Sequence, residues 1–405
     1  MDVVVERCCG LDVHKKNVVA CVRTPEGEQV RTFGTMTGQV LRLLDWLQRE
    51  RVSEVAMEST GSYWKPVYNL LEGHGIRLVL VNPAHMKAVP GRKTDVKDAQ
   101  WIADLLRHGL LRASRIPERP QRELEEAVRY RQIMIRARAD EVRRVQKVLE
   151  GGNIKLGDVA SDVLGRSGRA MLEALAAGET DASEMAGLAQ GRLRSKRADL
   201  ESALEGQLGD YQRSLLRRLL SHIDYLDRQI EDLSAEIGER MRPFEAALAG
   251  IDRIPGIGRR SGENILAETG TDMSYWPNDK AITSWAKVCP ANNESAGKRR
   301  SSSIGHGNPW LRGALIEAAQ SAVRVRSSYL STMYHRIKAR RGAKRALVAV
   351  AHRILVIIYH LLKDGTLYQD LGPDYSDRRD QEAVVRRSIR RLEACGYKVV
   401  LTPAA

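Results

Sequence analysis

The sequence predicts a protein of three parts: a mixed α/β domain at the amino terminus, a long helical middle region and a mainly helical carboxy-terminal part. Three observations predict this arrangement. About the first 110 residues alternate strand-like and helix-like segments, two later stretches repeat apolar residues every seven positions, and the residues after 244 show helical spacing again. The predicted divisions are 1–112, 113–243, 244–372 and 373–405, the last being a highly charged helical tail.

The amino-terminal elements are predicted in the order β-β-β-α-β-α-β. Helical spacing at 40–48 and 63–71 supplies the two helices. Short apolar runs predict the strands, at 7–13, 17–23, 29–33, 54–58 and 77–81. This order is that of an RNase H-type sheet, in which the first and fourth strands are neighbours.

Two heptad patterns occupy the middle region. In 121–149 an apolar residue recurs every seven positions among many arginines, which predicts a long helix. The second pattern has Leu216, Ile223, Ile230 and Ile237 in one register and Leu219, Leu226 and Leu233 in the other. Such a pattern favours a parallel two-stranded coiled coil between subunits, but folding back on 121–149 would bury the same residues. Both alternatives stay open.

The carboxy-terminal part contains two candidate phosphate-binding segments. The run IPGIG at 254–258, followed by a helical pattern, predicts a helix-hairpin-helix in which Gly256 and Gly258 let backbone N–H groups reach phosphates. The alternative is a glycine turn that serves packing alone. Residues 292–312 alternate small residues, serines and cations, and are predicted to form an exposed loop. Its candidate phosphate contacts are Lys298, Arg299, Arg300 and Arg312.

The composition indicates a polyanionic partner. Lys and Arg number 65 against 51 Asp and Glu, a net charge of +14, which makes nucleic acid the first candidate. Residues 1–6 lack a secretory pattern, so we expect a cytoplasmic protein. The apolar stretch 346–362 is interrupted by His352 and Arg353 and is predicted to be a buried helix, so no membrane partner is expected. Five cysteines without C-x-x-C spacing argue against structural zinc.

Four carboxylates are candidates for a metal site. Asp12 lies near the end of the first predicted strand, Glu58 ends the fourth, and Asp95 and Asp98 are three apart at the start of a helix. Carboxylate oxygens are the ligands that Mg²⁺ prefers, and one or two Mg²⁺ ions serve phosphodiester chemistry. Alternatively, Asp95 caps a helix and Asp98 is a surface acid. Nearby cations that could hold phosphates are Lys87, Arg92 and Lys93.

Short motifs at both ends of the chain resemble one known family. The amino-terminal motifs are GLDVH at 10–14, MESTG at 57–61, VNP at 81–83 and KTDVKDA at 93–99. The carboxy-terminal motifs are IPGIG at 254–258, CP at 289–290, ESAG at 294–297 and GNPWLR at 307–312. With these motifs the chain resembles, over most of its length, the DEDD transposases of insertion-sequence family one-ten, also called bridge-RNA-guided recombinases.

The resemblance implies a RuvC-like RNase H-fold domain, a coiled-coil bundle and a transposase domain. It implies that Ser295 attacks the scissile phosphate and forms a phosphoserine intermediate, although the family's Ser-Gly pair is Ser295-Ala296-Gly297 here. It also implies that the acidic site of one subunit and the serine of another share Mg²⁺ in a homodimer or homotetramer. A structured bridge RNA would choose donor and target DNA by base pairing.

Two other functions remain open from the residues. The first is a metal-only nuclease resembling a Holliday-junction resolvase, in which water attacks and Ser295 merely contacts DNA. The second is a non-enzymatic coiled-coil protein that binds nucleic acid. If the resemblance holds, the protein acts in the cytoplasm of a prokaryotic cell, on the nucleoid.

Overall fold

A computed structural model describes residues 2–59, 61–82, 98–290, 293–295, 298–301, 304–305, 307–379 and 381–400. The chain divides into two compact units, Met1–Glu118 and Arg119–Ala405.

The first unit contains a mixed five-stranded sheet. The strands are β1 (Cys8–Val13), β2 (Asn17–Thr24), β3 (Gly27–Gly34), β4 (Glu54–Glu58) and β5 (Arg77–Val81). Their order is β3-β2-β1-β4-β5; β1 and β3 run antiparallel to β2, whereas β1, β4 and β5 run parallel. The predicted pairing of the first and fourth strands is therefore confirmed. Each predicted strand lies within two residues of the observed bounds.

Helices cover both faces of this sheet. They are α1 (Thr37–Arg49), α2 (Trp64–Leu71) and α3 (Asp98–Arg107). Leu11, Leu43 and Met57 are completely buried in the core that includes α1 and α2. The opposite face packs on α3, where Ala56, Val79 and Ile102 share a smaller cluster. Because alternate residues of a strand point to opposite faces, this division fixes the direction of every side chain on β1 and β4.

The second unit is mainly helical. Its helices are α4 (Arg119–Gly151), α5 (Leu156–Val159), α6 (Arg166–Ala177), α7 (Ala182–Gly187), α8 (Arg197–Leu204), α9 (Asp210–Met241), α10 (Glu245–Asp252), α11 (Arg259–Thr269), α12 (Asp279–Trp285), α13 (Pro309–Ala322), α14 (Tyr329–Arg341), α15 (Ala343–Asp364), α16 (Tyr375–Arg379) and α17 (Gln381–Ala394). The two heptad segments form the long helices α4 and α9. The predicted charged tail is helical in α16 and α17.

Helices α4 and α9 pack against each other in antiparallel orientation. Arg240 pairs with Glu123 at 3.1 Å near one end, and His222 approaches Glu141 to 3.1 Å farther along. The second heptad stripe is buried inside the chain, with Leu216 and Ile237 at zero exposure and Ile223 at 1%. Of the two alternatives left open by the sequence, the structure adopts the fold-back. The heptads therefore give no support to a coiled coil between subunits.

The two ends of the α4–α9 pair lie in different hydrophobic cores. Val145 and Leu149 of α4 join the start of α9 and α5–α8 in one core. Leu124 and Val128, at the other end of α4, join the end of α9 and the helices after Arg242. This second core continues across the predicted division at 243.

The segment predicted as an exposed loop, 292–312, has regular structure among its described residues. It contains the short strands β6 (Asn293–Ser295) and β7 (Lys298–Ser301), which pair in antiparallel orientation, and it ends where α13 begins at Pro309. The prediction of a loop was wrong for the residues of these two strands. The small and charged residues of this segment lack the apolar alternation that predicts strands. The two strands pair through backbone groups, which every residue has, so the composition did not indicate the hairpin.

Among the described residues, α15 is long and apolar enough to cross a membrane by length and composition. However, Val350, Ile354, Leu355 and Ile358 of this helix have no exposed surface and belong to the core of the second unit. This packing is that of the buried helix predicted from the sequence.

Candidate active site

Asp12 and Glu58 lie on the same face of the sheet. On β1, Cys8, Gly10 and Asp12 alternate with Leu11, which points to the core that includes α1. On β4, Ala56 faces α3, so Glu58, two residues later, does as well. Since Leu11 and Met57 are Cα partners in the parallel pair, the next residues along each strand are Asp12 and Glu58. The two carboxylates therefore occupy neighbouring positions at the carboxyl ends of adjacent strands.

The start of α3 lies against the same strand. A Cβ atom at Gly10 would stand 2.2 Å from the carbonyl oxygen of Ala99 and 2.4 Å from the backbone nitrogen of Ala103. The helix backbone thus touches the strand backbone, which glycine alone permits. Asp98 is the first residue of α3 and immediately precedes Ala99. Cys8 lies opposite Ala103, farther along the helix, so Asp98 is at the end of α3 that lies toward Asp12.

These three carboxylates provide the kind of oxygen donors that Mg²⁺ requires. Across the described ranges, however, no group of three or more acidic, histidine or cysteine side chains is close enough to hold a metal ion. The fourth predicted ligand, Asp95, and the predicted phosphate contacts Lys87, Arg92 and Lys93 lie outside the described residues. The donor chemistry and the shared face therefore fit Mg²⁺, and the ligand set is incomplete within the described part.

The structure adds His14 to this region, a residue that the sequence did not single out. Its Nε2 atom lies 3.0 Å from an Asp12 carboxylate oxygen. The His14 side chain is 58% exposed, against 25% for Asp12. Both residues lie in the GLDVH motif, and their separation of two along an extended chain places them on one side. That spacing was the signal that could have identified His14.

Ser295 is the last residue of β6. Its Cα atom pairs with that of Lys298, and the Cα atom of Glu294 pairs with that of Arg299. Arg300 continues β7, so the candidate phosphate contacts at 298–300 run beside the strand that carries the serine. The structure thus brings the backbone of the predicted nucleophile and of three predicted cations into one hairpin.

A buried hydrogen-bond chain holds the base of this hairpin segment. Asn308 caps α13, since its side-chain oxygen accepts from the backbone nitrogens of Trp310 and Leu311 at 3.0 and 3.1 Å. The Asn308 amide nitrogen donates to Glu268, which has no exposed surface. Arg129 of α4 donates to both oxygens of Glu268, at 2.7 and 2.6 Å. Helix α4 is therefore linked by hydrogen bonds, through the Glu268 carboxylate, to Asn308, the residue before α13.

A second contact from α4 reinforces this arrangement. The Arg136 guanidinium lies 5.0 Å from the centre of the Trp310 ring. Arg129 and Arg136 are seven residues apart, so they project from one side of α4. The motif GNPWLR at 307–312 is in this way anchored at both its asparagine and its tryptophan.

The glycines at 256 and 258 differ in their surroundings. Gly256 has a φ of +87°, and a Cβ atom there would lie 2.3 Å from the carbonyl oxygen of Ala318 in α13. Its small size is needed for helix packing, which is the alternative that the sequence left open. Gly258 precedes the first residue of α11 and has nothing within 4 Å of a hypothetical Cβ atom. Backbone N–H groups at the start of α11 are therefore the part of this turn that can meet a phosphate.

Many arginines of the second unit are committed to carboxylates. Arg131 is 1% exposed, and its guanidinium donates to Glu263 at 2.7 Å. Burial lowers the pKa of Arg131, and the hydrogen bond that Arg131 donates to Glu263 opposes that effect. Arg312 instead donates to the backbone oxygen of Gly305 at 3.2 Å, inside the segment that carries Ser295. Net charge alone thus does not tell which cations are available to a ligand.

The cysteines are free thiols. Burial raises the pKa of Cys8 to about 11 and that of Cys21 to about 12, and Cys9 has no exposed surface. These three side chains behave as the small buried hydrophobes predicted from the sequence. Cys289 is half-buried, and Cys395 is exposed.

Comparison with known families gives two matches. Residues 9–154 match a model described as the DEDD transposase of IS110, and residues 249–335 match a model described as the transposase of the IS116/IS110/IS902 family. Together they cover more than half of the chain. The first contains the four candidate carboxylates, and the second contains Ser295. No curated protein matches the chain.

Proposed function

The chain belongs to the IS110 family of transposases, and we propose that it cuts and rejoins DNA strands through a phosphoserine intermediate when an insertion sequence moves. The observation that carries the proposal is the placement of Asp12, Glu58 and Asp98 on one side of the sheet, at the ends of β1 and β4 and the start of α3. That sheet order is consistent with an RNase H-like start of the chain, and a RuvC-like domain is part of the proposal. The family suggests a soluble cytoplasmic protein that acts on DNA.

The carboxylates of Asp12, Glu58, Asp95 and Asp98 are the proposed Mg²⁺ ligands. Oxygen donors from two neighbouring strands and one helix start can approach an ion from several directions. Bound Mg²⁺ would neutralise charge on the scissile phosphate and lower the pKa of the attacking hydroxyl. His14 orients Asp12 through its hydrogen bond to one oxygen, which leaves the other oxygen for the ion.

Ser295 is the proposed nucleophile. Its hydroxyl oxygen bonds to phosphorus, the bond from phosphorus to one sugar oxygen breaks, and that oxygen takes up a proton. A hydroxyl of another DNA strand then attacks the phosphoserine, which restores Ser295 and joins the strands. Lys298, Arg299, Arg300 and Arg312 hold phosphates beside the reacting atoms, with Lys87, Arg92, Lys93 and the turn at Gly256 and Gly258 contacting the DNA backbone elsewhere.

A structured bridge RNA selects donor and target DNA in this proposal, and the protein reads shape and charge. The low aromatic content, 5% of residues, agrees with backbone recognition in preference to base stacking. Two or four copies assemble so that the acidic site of one subunit meets Ser295 of another. Since the heptad stripe is buried within the chain, this assembly uses other surfaces.

A covalent adduct between protein and DNA tests the proposal. Labelled donor DNA, Mg²⁺ and RNA transcribed from the element's flank are mixed with wild type, Ser295→Ala, Asp12→Asn or Ser221→Ala, and the products are separated on a denaturing gel. We expect an adduct with wild type and with the control Ser221→Ala, whose serine is an exposed residue of α9. Ser295→Ala and Asp12→Asn should reduce the adduct at least about 100-fold.

The alternative, a metal-only nuclease, gives a different pattern. Water would then attack, so Ser295→Ala would cut nearly as fast as wild type, no adduct would form, and Asp12→Asn alone would abolish cleavage. Cleavage that survives both substitutions would contradict both functions. DNA binding without cleavage or adduct, equal for wild type and both variants, would favour a protein that only binds nucleic acid.

A further inference from the structure

A cavity of about 760 Å³ lies beside the segment that carries Ser295. Cys289 and Pro290 precede this segment and line the cavity, as does Ile304 from its far end. Helices α14 and α15 supply the remaining walls, with Met333, Ile337 and Val348 among the apolar groups. The volume lies in the range of about 300–1,000 Å³ that is usual for small-ligand sites.

The charge of this cavity has one sign. Arg341, Lys344, Arg345 and Arg353 are in its lining, which contains neither Asp nor Glu. None of these four cations forms an ion pair with a described residue, in contrast to Arg129, Arg131 and Arg138 elsewhere in the same unit. Apolar walls with unpaired cations suit a ligand that has both a hydrophobic body and anionic groups.

Arg353, which lines the cavity, has a donor that a bound ligand could satisfy. Its Nε atom is buried and finds no hydrogen-bond acceptor within the described ranges. The Arg353 guanidinium carbon lies 6.0 Å from the centre of the Tyr329 ring. A buried donor of this kind costs free energy unless a ligand supplies an acceptor. Next to it, burial and then the charge of Arg353 lower the pKa of His352, and the charge of Asp279 opposes this shift.

We propose that this cavity binds one unstacked nucleotide of the DNA strand next to the scissile phosphate, with the base against the apolar walls and phosphates on Lys344 and Arg345. The proposal rests on the function proposed for Ser295, because the cavity is lined by residues on both sides of Ser295 in the chain, at 289–290 and at 304. A second cavity, of about 630 Å³, shares Ile304, Lys344 and Val348 with the first and adds Arg312. Glu317 also lines this second cavity, in which Arg312 and Lys344 are the groups that would hold the neighbouring phosphate.

Cys289 provides a direct probe of occupancy, since it lines the cavity and is half-buried. Full-length protein carrying Ser295→Ala and Cys395→Ser retains Cys289 as its reactive thiol, because burial protects Cys8, Cys9 and Cys21. A single-stranded deoxyoligonucleotide at ten times its Kd should slow maleimide labelling of Cys289 about tenfold. An oligonucleotide with abasic positions should bind with little protection of the thiol.

Two variants separate the contacts. Lys344→Gln with Arg345→Gln, both exposed residues, should raise the Kd about tenfold at 0.15 M salt, as expected for two lost phosphate contacts. Arg217→Gln with Arg218→Gln removes equal charge from an exposed part of α9 and should preserve protection of Cys289 at saturating DNA. Ala349→Phe, which fills the cavity, should remove protection without abolishing binding.

Several outcomes would overturn the proposal. Equal protection by double-stranded DNA or by an abasic strand would show a backbone surface, and protection by an oligoribonucleotide but not by DNA would assign the cavity to RNA. These results are independent of the adduct assay, because the protein used here carries Ser295→Ala. Protection without an adduct in wild type would defeat the serine mechanism alone, whereas an adduct without protection would defeat the cavity assignment alone.

Discussion

At the scale of single residues, the sequence did not predict which charged side chains of the second unit are buried. Arg131 lies within the apolar stripe of α4 and is completely covered, and Glu268 is covered equally in α11. From the sequence alone, both side chains would be predicted to lie in solvent, because charged side chains are rarely buried. Their positions follow from partners more than 130 residues away, Glu263 and Arg129, which no local pattern connects.

Glu268→Gln tests how much the buried Glu268 carboxylate contributes to the free energy of unfolding. The substitution leaves Arg129 without its counter-ion and weakens the bond to Asn308, so we expect the free energy of unfolding to fall by about 3 kcal/mol. Urea denaturation followed by circular dichroism measures the change. Glu236→Gln removes an exposed partner of Arg240 and should cost less than about 1 kcal/mol. Equal effects of the two substitutions would mean that burial of Glu268 contributes nothing.

At the scale of elements, the strands and helices of the first unit were predictable because their apolar patterns are short and regular. Strands β4 and β5 have the predicted bounds, and α1 extends three residues before its predicted start. The site was predictable to the extent that strand order places Asp12 beside Glu58. His14 and the β6–β7 hairpin were missed, because a short polar strand depends on backbone pairing that side-chain composition does not encode.

The contact between β1 and α3 gives a prediction for an element. Gly10→Ala would place a methyl group within 2.2 Å of helix backbone, so α3 must move away from the strand. We expect a loss of about 3 kcal/mol in thermal or urea unfolding, together with loss of the covalent adduct as Asp98 is displaced. Gly38→Ala in α1 meets no atom within 4 Å and should change stability by less than about 1 kcal/mol. A fully active Gly10→Ala protein would contradict the proposed role of Asp98.

At the scale of the whole molecule, the sequence identified the long helices but could not choose their partner. A heptad pattern shows that one face of a helix is apolar and must be buried. It does not show whether a second subunit or another part of the same chain buries that face. The ion pairs that select the fold-back, such as Arg240 with Glu123, lie outside the apolar stripe. Residues 83–97, which include Asp95, lie outside the described structure, so that part of the predicted site stays a prediction.

Ile223→Ala distinguishes an internal stripe from a subunit interface. Because Ile223 is 1% exposed within the chain, its truncation should lower the free energy of unfolding by about 2–5 kcal/mol and leave the subunit number unchanged. Analytical ultracentrifugation and calorimetry provide the two measurements. Tyr211→Ala, at a side chain that is 79% exposed on the same helix, should alter neither. Dissociation into stable monomers would instead place the stripe between subunits.

The antiparallel helix pair has a mechanical consequence. Helix α4 contains 33 residues and is therefore about 50 Å long. Its carboxy-terminal end packs in the core with α5–α8, and its amino-terminal end packs in the second core. Arg129 is linked to Asn308 through Glu268, and Arg136, at the middle of the helix, lies against Trp310. Ion pairs along its length resist sliding against α9. The pair thus joins the core of the small helices α5–α8 to the core that holds the start of α13 by one continuous packed element.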